Sequence, residues 1–125
     1  MNPQSALKSY AKVHYRSNVE IASPHRLIDM LYEGAIERII QAKGAMEHKN
    51  IELKGAKINS AISIIGGLRE SLNSDEGGDL AMNLDNLYVY LQNILSNAHI
   101  KNDQTLLDEA VTLLNDLRST WKQIG

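Results

Sequence analysis

The chain has 125 residues with 13 Lys and Arg against 15 Asp and Glu, a net charge of −2. It is long enough for one domain with a single core. With no cysteine, disulfide scaffolds and thiolate metal sites are excluded. Residues 1–69 carry ten Lys and Arg against six Asp and Glu (+4), and residues 70–125 carry three against nine (−6). This asymmetry leaves no concentrated basic face for phosphates, so nucleic acid is not an expected partner.

There is no basic-then-apolar leader at the start and no apolar run long enough to insert in a membrane. The expected location is the cytoplasm. Phe is absent, and the two prolines stand at positions 3 and 24. A core of Leu, Ile and Ala at helical spacing, with no helix breaker beyond Pro24, predicts an all-α chain.

Residues 1–22 lack a sustained period and read as an N-terminal arm, distinct from a single bundle domain over residues 23–125. Ser23 and Pro24 then form a helix start, with a side-chain oxygen for the first-turn amides and a residue whose φ is already helical. Ile28, Tyr32, Ala35, Ile39, Ala42 and Met46 recur at steps of four and three, one apolar seam along the first helix. Leu31, Ile36 and Ile40 widen that stripe. Asp29 and Glu33 fall on the remaining face and read as solvated charges.

After His48-Lys49, Asn50 can cap a second helix with Ile51, Gly55, Ile58, Ile62, Ile65 and Leu72 on its seam. A second stripe, Ala61, Ile64 and Leu68, runs beside it. Gly66-Gly67 reads as a point of close helix approach. The polar run from Ser71 to Gly78 is the clearest loop. From Asp79 a third helix places Leu80, Leu84, Leu87, Leu91, Ile94 and Ala98 on its seam, flanked by Tyr88 and Leu95. Asn102 or Asp103 caps a fourth, with Leu107, Ala110, Leu114, Leu117 and Trp121 inward. Four similar helices on short links predict an antiparallel up-down four-helix bundle.

Chemistry has little foothold in this pattern. A di-iron bundle needs Glu-x-x-His pairs, but Ala11, Ala22, Ala45 and Ser96 stand three residues before the four histidines. No P-loop, G-x-S-x-G or H-E-x-x-H occurs. No catalytic, metal or cofactor residue is therefore assigned. His25 reads as a surface histidine. What remains is surplus apolar surface, with Ala61, Ile64, Leu68, Met82 and Val89 as candidates for a groove that takes an amphipathic helix from another chain.

The run from Ser23 to Ala35, SPHRLIDMLYEGA, resembles the signature of the FliS family of flagellar secretion chaperones, A-S-P-x-x-L-I-x-M-L-Y-[DE]-G. The likeness continues through Ala61 to Leu68, through Gly77-Gly78, Asn83-Leu84 and Leu87-Tyr88-Val89-Tyr90, and through Ala98 with Asn102-Asp103. It closes on Trp121-Lys122-Gln123-Ile124, and Tyr10 and Val19 match N-terminal family positions.

The resemblance implies a cytoplasmic, non-enzymatic bundle that binds the disordered C-terminal segment of flagellin. Such a protein prevents premature polymerisation and delivers its cargo to the flagellar type III secretion apparatus, through contact with an export gate component. It implies that the N-terminal arm covers the binding groove when flagellin is absent, with Tyr10, Val13 and Tyr15 as gating residues. The competing expectation is a bundle that homodimerises or binds another flagellar regulator through the same grooves.

Overall fold

The structure is a computed structural model that describes residues 22–72 and 74–124. It contains α1 (Pro24–Glu47), α2 (Ile51–Glu70), α3 (Ser74–Lys101) and α4 (Gln104–Ile124). Helix α1 packs on α2 and α4, and α3 packs on the same two. Each helix thus neighbours those before and after it around a closed ring, an antiparallel four-helix bundle.

The caps follow from side-chain chemistry. The Ser23 hydroxyl accepts a hydrogen bond from the Arg26 amide at 3.1 Å, with Pro24 beside it. The Asn50 side chain accepts one from the Leu53 amide at 3.1 Å, and Asp103 Oδ1 accepts one from the Thr105 amide at 2.9 Å. Two connections share one C-terminal design. Lys49 and Asn102 adopt left-handed φ values of 59° and 54°. Just beyond them, the Asn50 amide donates to the Ala45 carbonyl at 2.8 Å and the Asp103 amide to the Ala98 carbonyl at 3.0 Å. These bonds satisfy carbonyls that a helix end otherwise leaves unpaired and turn the chain back in three residues after α1 and two after α3.

The core contains the expected α1 seam from Tyr32 to Met46 and the α4 seam from Leu107 to Leu114, with Ile28, Leu117 and Trp121 partly buried around it. Leu31 and Ile36 join that core, whereas Ile40 is exposed. On α2, Ile58 and Ile65 are fully buried, Ile62 is partly so, and Ile51 faces solvent. Gly66 and Gly67 are buried. At Gly55 an added Cβ would lie 3.3 Å from the His99 ring, so α2 and α3 approach closely there.

Helix α3 departs from expectation in two ways. Its inward residues are Ala81, Tyr88, Leu91, Leu95 and Ala98, together with Ile94. Leu80 and Leu87, read as seam residues, are instead 69% and 36% exposed. The segment read as a loop to Gly78 also becomes helical at Ser74. Gly78, at φ 54° and ψ −129°, breaks the helix there and separates a first turn from the main run.

Candidate apolar binding site

At the end of the bundle where α1 begins and α4 finishes, two interactions lock these helices together. Arg118 Nε on α4 donates to Asp29 Oδ1 at 2.8 Å, and its other nitrogen reaches Asp29 Oδ2 at 3.4 Å and Glu33 Oε2 at 3.3 Å. Arg26 adds a charge-assisted bond to Asp29 from the preceding turn. Asp29 is 4% exposed, so the solvated-charge reading is corrected: it is the buried centre of an ion-pair network. Burial works to raise its pKa, but the hydrogen bond and charge of Arg118, with Lys122 and Arg26, outweigh it and hold the carboxyl below its ordinary value.

The second lock is aromatic. The His25 and Trp121 rings stack with centroids 4.6 Å apart at 10°. Trp121 Nε1 donates to the His25 carbonyl at 2.9 Å, and His25 Nε2 lies 2.8 Å from the Trp121 carbonyl. A carbonyl only accepts, so Nε2 carries the proton in this bond. His25 is therefore half-buried and structural rather than a free surface side chain.

These locks build one wall of an open cleft of about 370 Å³. Ile28 and Tyr32 come from α1, Leu72 from the α2–α3 link, Leu80, Leu84 and Tyr88 from α3, and Trp121 from α4. The lining is mostly aliphatic and aromatic. Its polar feature is a pair of buried phenols: the Tyr32 and Tyr88 hydroxyls meet at 2.5 Å across the bundle from α1 to α3. Burial pushes both phenol pKa values up, so both hydroxyls stay protonated in the physiological range.

Leu80, Leu84 and Leu87 occupy positions i, i+4 and i+7 of α3, so they share one face. Leu80 and Leu84 line the cleft, and Leu87 extends the stripe along the helix. A side pocket beyond Leu72 adds Met82, 56% exposed, and is rimmed by the Arg69–Asp85 ion pair at 2.7 Å.

Of the groove residues singled out in the sequence, Met82 lies at this surface and Val89 is half-buried on α3. Ala61, Ile64 and Leu68 are buried within the core cluster. Tyr10, Val13 and Tyr15 lie outside the described residues. The cleft residues Leu80, Leu84 and Trp121, and Leu87 on the same stripe, were visible in the sequence, but only as core seams. Among the described residues, no three or more His, Asp or Glu gather as a metal-ligand set. No described helix is long and apolar enough to cross a membrane.

The sequence model of the family described as "Flagellar protein FliS" matches residues 6–125. The chain is a member of the FliS family. Its relatives include the flagellar secretion chaperone FliSB of Pseudomonas aeruginosa, 48% identical over 125 residues that cover 100% of this chain and 99% of that protein. The flagellar secretion chaperone FliS of Vibrio cholerae is 42% identical over 97% of this chain and 89% of its own length. That of Salmonella typhimurium is 38% identical over 100% of this chain and 93% of its own. The resemblance read from residues 23–35 and the later motifs is thus matched along nearly the whole chain, and the FliS fold positions the cleft described above.

Proposed function

We propose that this protein is a cytoplasmic flagellin chaperone that acts without catalysis. It binds the disordered C-terminal segment of flagellin, keeps it from polymerising early and hands it to the flagellar export apparatus. The observation that carries this reading is the Leu80–Leu84–Leu87 stripe, which has core-like spacing yet leaves Leu80 and Leu87 exposed and runs into the cleft. A face with that period matches the apolar side of a helix from another chain.

The energetics suit such a partner. Ordering a disordered segment costs roughly 2–5 kcal/mol. At about 25 cal/mol per Å², a few hundred Å² of buried apolar surface offsets that cost. Leu80, Met82 and Leu87 supply exposed apolar area for it, and the cleft supplies depth. Export of the cargo needs no nucleotide site on the chaperone itself.

The start of α1 lies beside this cleft, whose wall includes Ile28 of that helix and Trp121, stacked on His25. Our reading is that residues 1–22, through Tyr10, Val13 and Tyr15, cover the apolar surface in the absence of cargo. A tethered segment competes at an effective concentration of order mM. It therefore lowers apparent flagellin affinity by the fraction of time it is docked.

Trp121 is the one tryptophan in the chain. Titration with the C-terminal segment of flagellin is expected to shift its emission in step with binding. Binding with unchanged Trp121 emission would place the partner elsewhere on the bundle.

A further inference from the structure

The Tyr32–Tyr88 pair poses a problem of proton counting inside the cleft. Two neutral phenols carry two O–H protons, but the bond between them uses only one. Whichever hydroxyl donates to the other, the second hydroxyl keeps a proton for a third group. Both residues are about 97% buried, and the pair is the sole hydrogen bond that either side chain makes among the described residues. The remaining cleft lining is largely aliphatic, with Ile28, Leu72, Leu80 and Leu84, and the Ser71 hydroxyl donates to the Leu68 carbonyl rather than meeting either phenol. A buried donor without an acceptor is unfavourable, so an occupant that supplies one gains more than apolar contact alone provides.

We infer that the Tyr32–Tyr88 pair is a specificity element of the cleft, donating its leftover O–H to a main-chain carbonyl of the bound flagellin segment. This deepens the flagellin-binding reading and rests on it. A helix lying in a groove uses its internal carbonyls in its own hydrogen bonds, but the carbonyls of its last turn have no intrahelical partner. The cleft takes in the Leu80–Leu84 end of the Leu80–Leu84–Leu87 stripe, and on our reading a helix laid along that stripe ends there. The expected occupant is therefore an apolar helix end, or the link that follows it. Its aliphatic side chain fills the cleft while a free carbonyl meets the phenol.

The test exploits an opposition between stability and binding. Removing one hydroxyl leaves the other phenol without its partner in the free protein, whereas removing both replaces the bond with matched apolar surfaces. Tyr32→Phe and Tyr88→Phe are thus each expected to unfold at lower urea than Tyr32→Phe/Tyr88→Phe.

Binding should follow the reverse order. Each single variant retains one O–H to meet the carbonyl, so its affinity for a peptide of flagellin's C-terminal segment stays within about threefold of the parent chain. The double variant has no donor and is expected to bind about tenfold more weakly, the loss of one desolvated hydrogen bond. Calorimetric titration and urea unfolding on the full chain read the two orders. A double variant that binds as tightly as the parent overturns the donor role and leaves the proton to water. So does an affinity order that copies the stability order. A parent chain that binds no such peptide overturns the flagellin reading, and this assignment with it.

Discussion

Asp29 looks, in a linear reading, like any acidic residue on the outer face of a helix. Its burial becomes visible only once Arg118, 89 residues later, closes on it. Removing Asp29 takes the buried centre out of this network, while Arg118 keeps Glu33 and some solvent. Asp29→Ala is expected to cost about 1–3 kcal/mol in urea unfolding, more than any exposed acidic residue.

The pH dependence follows from the direction of its shift. The folded pKa lies below the ordinary 3.8, so the stabilisation is complete above that value and is lost as pH falls towards the folded one. Asp29→Asn should flatten the acid limb of the stability curve below about pH 3.8. An unchanged limb would assign acid unfolding to other carboxylates.

Lys54 is a second buried charge that sequence pattern does not reveal. Its Nζ donates to the His99 carbonyl at 3.2 Å and to Asn102 Oδ1 at 3.0 Å, placing a cation at the C-terminal end of α3. Lys54→Met keeps the apolar stem but leaves both acceptors unpaired. It is expected to lower stability by about 1–3 kcal/mol in denaturant unfolding.

At the scale of the element, legibility depended on how far apart the determining residues lie. The Ser23 and Asn50 caps are local hydrogen bonds three residues long, and both were readable from residue type alone. The α1 and α4 seams were readable too, because one periodic apolar stripe dominates each helix. Helix α3 offers two stripes of similar period. Leu80, Leu84 and Leu87 outweigh Ala81 and Tyr88 in hydropathy, yet the weaker stripe faces inward. Period identifies a helix face but not what covers it, and here Leu80 and Leu87 of the stronger face stay exposed.

The α2–α3 link shows the same limit in the backbone. Its Gly pair was read as part of a polar loop, and within the link the two glycines have separate tasks. An added Cβ at Gly77 would stand 2.6 Å from the Ala81 Cβ, and Gly78 holds a positive φ that side chains disfavour. Gly78→Ala should cost about 1–3 kcal/mol. It should also disturb the first turn of α3 beside the cleft, seen as altered Trp121 emission. A neutral substitution would mean that the break in α3 is not required.

At the scale of the molecule, the bundle joins a rigid ring of helices to an apolar end that its own described residues leave open. The Asp29–Arg118 and His25–Trp121 contacts brace α1 against α4 at that end, beside the cleft. If residues 1–22 act as its cover, deletion of residues 1–17 should raise hydrophobic dye binding and strengthen flagellin binding. A truncated chain unchanged in both respects would remove the gating role.

The most direct test mixes the protein with full-length flagellin and with flagellin lacking its C-terminal segment, and measures complex mass and stoichiometry by light scattering after size exclusion. A 1:1 complex with the intact flagellin that disappears on truncation is the expected result. A complex that survives the truncation would contradict the assignment of the cleft and its leucine stripe to that segment.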